Sequence, residues 1–209
     1  MTQLADMEIV APGLYASPPE SLPFNRTLEI RSFLLERDAG NLLVYSTTTA
    51  SGDVWRQYLN HWHEAAFVPE TVHAPLFVHA ADRTETESER AVRAAFSRRH
   101  MLDDDFEAIP TPGHTPGATA YLWDNGEHRF LFTGDTIMVR GGEWRTAVLG
   151  SSDRGAYLES LALMRDLDFD VLVPWAATRG QTYHAATDRA DAQRRIDLIL
   201  ERLSRGEDH

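Results

Sequence analysis

Thr111-Pro112-Gly113-His114-Thr115-Pro116-Gly117 is the stretch on which the interpretation of this chain depends. Proline fixes the backbone φ angle and glycine frees it, so the histidine between the two Pro-Gly pairs lies in a shaped loop. Apolar residues typical of a strand follow, from Ala118 to Trp123. A histidine held in such a loop at a strand edge is placed for a function, although an ordinary surface turn would show the same pattern.

Two more stretches favour the functional interpretation. Asn60-His61-Trp62-His63-Glu64 lies upstream, and Phe132-Thr133-Gly134-Asp135-Thr136 lies downstream. In this order the three stretches resemble the metallo-β-lactamase superfamily, whose pattern is H-x-H-x-D-H, a P-G-H-T-x-G loop, a G-D turn and a late G-H-G loop. The resemblance runs from about residue 9 to about residue 203. It implies an α+β fold, a four-layer αββα sandwich, with residues 1–209 forming a single domain.

Composition limits the classes of partner. The chain has 209 residues, of which 43% are hydrophobic and 25% charged, as expected for one globular domain. A net charge of -12 argues against nucleic acid or an anionic membrane as the main partner. We therefore expect a small-molecule substrate or ligand, and the composition is compatible with a homodimer.

Cysteine usage and the N-terminus bear on compartment and chemistry. The chain has no cysteine, which excludes disulfides and thiolate metal ligands. Residues 1–11 show no basic start followed by a long apolar run, and no stretch approaches 18 uninterrupted apolar residues. The sequence thus predicts no signal peptide, no membrane span and a cytoplasmic location.

Local patterns predict the main elements. Turn residues between apolar runs predict hairpins within residues 28–45 and 118–132. Helical spacing of apolar residues predicts helices at 155–166 and 187–203, and composition favours a further helix over 85–98. Residues 54–59 fit either a helical turn or a strand, and the resemblance requires a strand there.

The chemistry of the three stretches points to a metal. Side chains alternate along a strand, so His61 and His63 at a strand end would point to the same side. With His114 they supply three nitrogen ligands, the arrangement of a catalytic zinc with one open position. Asp135 could take the fourth position, and the resemblance implies that this aspartate bridges two metals in the family.

The chain departs from the family pattern at the second metal. Ala65 and Ala66 stand where the family has aspartate and histidine, and Trp175-Ala176-Ala177 follows Pro174 where the family has its late histidine loop. We therefore predict at most one metal ion, Zn²⁺ being the expected cofactor.

Other acidic and histidine side chains could compensate for the lost ligands. Glu64 could serve as general base or ligand, and Asp135 is the other candidate base. We interpret His79 and His184 as ordinary core or surface histidines.

Alternatives of different classes remain open at this point. One is a hydrolase that cleaves an ester, thioester, lactone or amide with a hydroxide held on a single metal. Another is a non-catalytic member of the fold that binds a small molecule or a protein partner. A third is an oxidoreductase with iron, because the ligand set does not distinguish the metal.

Overall fold

The computed structural model describes residues 6–70 and 72–207. The predictions made for the first five residues, including part of the signal-peptide prediction, lie outside the described residues. The strands are β1 Glu8–Ala11, β2 Leu14–Ala16, β3 Glu20–Leu22, β4 Asn25–Ile30, β5 Phe33–Leu35, β6 Leu42–Val44, β7 Arg56–Tyr58, β8 Leu76–His79, β9 Ala94–Phe96, β10 His100–Leu102, β11 Phe106–Pro110, β12 Thr119–Asp124, β13 Arg129–Gly134, β14 Met138–Arg140, β15 Glu143–Arg145, β16 Val171–Pro174, β17 Ala176–Thr178 and β18 Ala185–Ala186. The helices are α1 Arg83–Glu87, α2 Arg154–Arg165 and α3 Arg189–Ser204, and short 3₁₀ segments cover Trp62–Phe67 and Ala80–Asp82.

The strands form three hydrogen-bonded sheets. A seven-stranded sheet has the order β1-β2-β5-β6-β7-β8-β9, and a six-stranded sheet has the order β10-β11-β12-β13-β16-β18. A smaller five-stranded sheet has the order β15-β14-β17-β4-β3. The first two sheets are mixed, because β6 to β9 pair in parallel and β13 pairs in parallel with β16.

The two large sheets pack face to face through aromatic side chains. Phe33 of β5 meets Phe132 of β13 with ring centroids 5.8 Å apart, and Tyr58 of β7 meets Tyr121 of β12 at 5.5 Å. All four side chains are almost completely buried. Such interdigitating aromatic pairs make this layer the main apolar core of the molecule.

Helices cover the outer face of the six-stranded sheet. Leu122 and Leu131 face outward and pack with Tyr157 and Leu161 of α2 and Ile196 of α3. On the seven-stranded sheet, β8 packs with Ala65 of the 3₁₀ segment Trp62–Phe67, and Leu34 and Leu43 pack with Met7 and Ala50. The mixed α+β architecture of stacked sheets and helices predicted from the sequence is therefore confirmed.

Three local predictions need comment. The hairpin within 118–132 is confirmed as β12 and β13. The hairpin predicted within 28–45 is confirmed as β5 and β6, whereas the first residues of that range lie in β4, a strand of a different sheet. The helix predicted over 85–98 is wrong: α1 ends at Glu87, and residues 94–96 instead pair in parallel with β8. Residues 94–96 pair with the edge of β8. Their composition, which favours a helix, gives no indication of this long-range pairing.

The terminal helix α3 follows its predicted pattern. The Asp188 side chain accepts a hydrogen bond from the Asp191 N–H and caps the helix start. Ile196, Ile199 and Leu203 are buried, whereas Leu200 is only partly buried. Among the described residues, no helix is both long enough and apolar enough to span a membrane.

Candidate metal centre

The histidines of the motifs come from two loops at one edge of the sandwich. Strand β7 ends at Tyr58, and His61 stands immediately before the 3₁₀ segment in which His63 lies. His114 lies between β11 and β12, and Asp135 directly follows β13. The strand geometry expected for the His61 and His63 pair is wrong, because a tight 3₁₀ turn brings the two rings to one side.

The three histidines form one compact group. One ligand atom of each of His61, His63 and His114 lies within 4.8 Å of the others. His63 Nδ1 is 3.2 Å from His114 Nε2. Asp135 Oδ2 is 3.7 Å from both His61 Nε2 and His114 Nε2. The structure therefore brings together the four side chains that were singled out in the sequence, in a set that could hold a metal ion.

Hydrogen bonds behind the rings orient two of the histidines. His114 Nδ1 lies 2.6 Å from the Ala147 carbonyl oxygen, to which it must donate. His61 Nδ1 lies 3.0 Å from Asn60 Oδ1 and 3.0 Å from Glu64 Oε1. In both rings the proton thus belongs on Nδ1, and Nε2 is left with a free lone pair toward the centre of the group.

Glu64 lies behind His61, away from the centre of the group. Its side chain is completely buried, and Oε1 accepts the backbone N–H groups of Asn60 at 2.9 Å and His61 at 3.1 Å. The same oxygen lies on the Nδ1 side of the His61 ring. This position suits a group that orients the imidazole.

Several buried polar atoms at the centre have no hydrogen-bond partner. Within the described ranges these include His61 Nε2 and Asp135 Oδ1. Buried polar groups are normally paired, so these two unpaired atoms require an explanation. The other Asp135 oxygen, Oδ2, lies 3.7 Å from both His61 Nε2 and His114 Nε2. A cation between these side chains would supply the explanation.

Burial controls the charges at this centre. It lowers the pKa of His61 well below the ordinary value and that of His63 to about 4, and the neighbouring His114 adds to both shifts. Burial also raises the pKa of Asp135, against the opposing effect of His114, and raises the pKa of Glu64 well above its ordinary value. Neutral imidazoles are the form that binds a metal ion.

The residues at the sequence positions of the family's second-metal ligands are apolar. Trp175 is 3% exposed, and its ring centroid lies 5.4 Å from that of His61 and 5.5 Å from that of Phe67. Ala65 is completely buried in an apolar cluster with Leu59, Val68, Leu76 and Val78, and Ala66 is exposed. None of these side chains can ligate a metal.

A cavity of about 610 Å³ opens beside the histidines. His63, His114 and Asp135 form one wall. Most of the remaining lining is apolar, and it includes Leu22, Phe24, Leu28, Trp62, Phe67, Met138, Val148, Leu149 and Trp175. Among the described residues that line the cavity, Arg140 is the one arginine or lysine.

Sequence reasoning missed two residues that build this centre. Asn60 faces both His61 and the backbone of β13, so closely that a Cβ on Gly134 would lie 2.0 Å from the Asn60 Cγ. Asp82 contacts both histidine loops through its carboxylate. A carboxylate shortly after the apolar run Leu76-Phe77-Val78 was the available signal for Asp82. His79 packs on Phe96 and His184 on Tyr183, and neither belongs to the group.

Comparison with known proteins agrees with this geometry. The family model described as the metallo-beta-lactamase superfamily matches residues 57–176, more than half of the chain. The chain belongs to the metallo-beta-lactamase superfamily. A comparison with curated proteins found no match.

Solved structures of this superfamily share the fold at low sequence identity. A metallo-beta-lactamase from Pontibacter korlensis superposes with a TM-score of 0.70 at 12% identity, covering 95% of this chain and 98% of its own. The metallo-beta-lactamase GOB-18 from Elizabethkingia meningoseptica gives 0.63 at 14% identity, covering 97% and 92%. An archaeal superfamily protein from Sulfolobus tokodaii gives 0.62 at 14% identity, covering 90% and 86%.

Proposed function

We propose that this member of the superfamily is a hydrolase that works with one divalent metal ion. His61, His63 and His114 would hold the ion, and Asp135 would take the remaining protein position or lie beside it. The observation that carries the proposal is the unpaired His61 Nε2, which lies in one compact group with His63 and His114 and 3.7 Å from Asp135 Oδ2. A bound divalent ion supplies an acidified water and polarises a carbonyl oxygen.

Zinc is the ion that the ligand set favours. Three neutral imidazoles and one carboxylate are typical zinc ligands, and the chain has no thiolate to offer. An iron site of the oxidoreductase type uses a similar set, so metal identity is part of the test. The residues at the second position argue for one ion, because Ala65, Ala66 and Trp175 offer no lone pair.

We assign different roles in hydrolysis to Asp135 and Glu64. Asp135 Oδ1 is buried and unpaired, and we assign it the proton of the attacking water. The water oxygen would form a bond to the carbonyl carbon, the bond to the leaving oxygen, sulfur or nitrogen would break, and Asp135 would return the proton to that atom. Glu64, which faces the Nδ1 side of His61, is better placed to orient that ring than to act as the base.

The cavity suggests the substrate class. Its lining is mainly apolar and aromatic, so burial of an apolar acyl chain or ring would supply the binding energy. Arg140 could pair with an anionic group of the substrate. We therefore propose an ester, thioester, lactone or amide with a large apolar portion, acted on by a single-domain protein in the cytoplasm.

A panel of model substrates tests this proposal. Zinc-loaded protein is assayed against an ester, a thioester, a lactone and an amide that carry the same apolar acyl group, with Asp135→Asn and the metal-free protein as comparisons. We expect hydrolysis of at least one of them, lost in both comparisons. Bound zinc without any hydrolysis would instead favour the non-catalytic binding protein, and activity restored only by iron would favour the oxidoreductase interpretation.

A further inference from the structure

A buried aspartate outside the sequence motifs joins the two histidine loops. Asp82 ends the 3₁₀ segment Ala80–Asp82 that follows β8, and its residue is 1% exposed. The chain positions of the two loops it contacts are more than 50 residues apart. No motif in the sequence around Asp82 predicts its contact with either loop.

Three hydrogen-bond donors converge on the Asp82 carboxylate. Oδ2 accepts the backbone N–H of Trp62 at 3.1 Å and the Thr115 hydroxyl at 2.6 Å. Oδ1 accepts the backbone N–H of Gly117 at 2.7 Å. Trp62 lies between His61 and His63, and Thr115 directly follows His114, so the three bonds tie both histidine loops to one carboxylate.

The loop around His114 is shaped to admit this carboxylate. A Cβ on Gly117 would lie 2.6 Å from Asp82 Cγ, closer than side-chain atoms approach one another. Glycine at this position therefore lets the loop backbone come within hydrogen-bond distance of Asp82. This gives the second Pro-Gly pair of the loop a structural purpose in addition to the turn.

We propose that Asp82 is a positioning residue that sets the spacing between the His61–His63 loop and the His114 loop, and thereby the metal affinity of the site. The inference rests on the proposed metal binding. A carboxylate suits this role because it offers only acceptors, whereas an amide in its place would set an NH₂ group against a backbone N–H or leave that N–H without a partner. Buried donors without partners are costly, so the loops would separate or shift.

The test compares Asp82→Asn with Ile199→Ala, which removes apolar packing in α3 on the other face of the six-stranded sheet. Zn²⁺ alone is titrated into metal-free protein against a chromophoric chelator. We expect Asp82→Asn to weaken zinc binding about 10- to 100-fold, the range typical of groups behind metal ligands. Ile199→Ala should lower the melting temperature but leave the affinity of the folded protein within about twofold of wild type.

A second readout needs no metal. In the metal-free protein the ring protons of His63 and His114 should show a nuclear Overhauser effect, since their ring centroids are 5.2 Å apart. We expect this signal in wild type and Ile199→Ala and its loss in Asp82→Asn. If wild type binds no zinc, the proposed function fails, and this signal decides the positioning role by itself.

Thr115 provides a milder variant in case Asp82→Asn does not fold. Thr115→Val removes one of the three donors, and we expect a loss of zinc affinity of about two- to tenfold that Thr115→Ser restores. The inference would be overturned if Asp82→Asn kept both the wild-type zinc affinity and the His63–His114 signal. The same two results in Thr115→Val would also overturn it.

Discussion

The two halves of the cleft beside His61 differ in whether their buried polar groups are paired. On one side His61, His63 and His114 present three nitrogens within 4.8 Å, and buried polar atoms there have no partner. On the other side Trp175 packs its ring against His61, and its indole N–H donates to the Ser46 carbonyl at 2.9 Å. The histidine half is polar and has buried atoms without hydrogen-bond partners. The Trp175 half is apolar, and the indole N–H has its hydrogen-bond partner.

This difference separates a binding site from ordinary core. Groups that are stable by themselves need no ligand, whereas groups that are buried and unpaired carry a cost that a ligand would relieve. Metal chemistry in this chain is therefore expected on the histidine side only. Substitutions on the two sides should therefore differ in their effects on metal content and on stability.

The largest effect is expected from His114→Ala. This change removes one of the three nitrogens and leaves two imidazoles and Asp135 in a centre arranged around three imidazoles. We expect loss of zinc affinity well beyond the roughly 100-fold produced by changes behind the ligands. Chelator competition measures it, with the exposed His128→Ala as the matched control. An unchanged affinity in His114→Ala would move the metal away from this centre.

Trp175→Ala tests the apolar half of the cleft, where the indole packs against His61. Removal of a buried tryptophan should reduce the free energy of unfolding by about 3–5 kcal/mol, partly because the Ser46 carbonyl loses its donor. The number of bound metal ions should stay the same, because no ligand is changed. Urea unfolding of the metal-free protein gives the first quantity. A cost below about 1 kcal/mol would mean that the indole does not serve as core.

Ala65→Asp asks whether the family aspartate can be restored. Ala65 packs among apolar side chains, so a carboxylate there would be buried without partners and should cost at least about 2 kcal/mol. Ala66→Asp is the matched control, since that neighbouring residue is exposed and lines the cavity. We expect almost no loss of stability for Ala66→Asp in the same unfolding measurement. Equal costs for the two variants would contradict the difference in burial.

Ala66→His should have the smallest effect. The new imidazole would stand at the cavity, but with Asp135 it makes only two ligands for a second ion, too few to hold zinc against water. Stability and metal content should both match wild type within error. Stoichiometric binding of a second ion in this variant would show that the apolar half is closer to a metal site than we infer.

Local signals in the sequence were sufficient for parts of the fold. The hairpin of β12 and β13 follows from its Asp124-Asn125-Gly126 turn between apolar runs, and α3 follows from apolar residues at helical spacing. The three histidines and Asp135 could be selected because motifs carried them. Each of these features depends on residues close together in the chain.

Features that depend on distant partners were not predictable. Residues 94–96 form a strand because Ala94 pairs with Phe77, although their composition favours a helix. The 3₁₀ turn that carries His63 also differs from the expected strand end. Asp82 became visible only when folding placed it beside Thr115 and Gly117. Local sequence patterns do not predict contacts between residues that are far apart in the chain.

The central claim is that one half of the cleft binds a metal and the other does not. Its most direct test is the metal content of protein purified without a histidine tag, supplemented with Zn²⁺, desalted and measured by mass spectrometry. We predict one equivalent per chain, absent from His114→Ala. Two equivalents in the wild-type protein, or none, would contradict the claim.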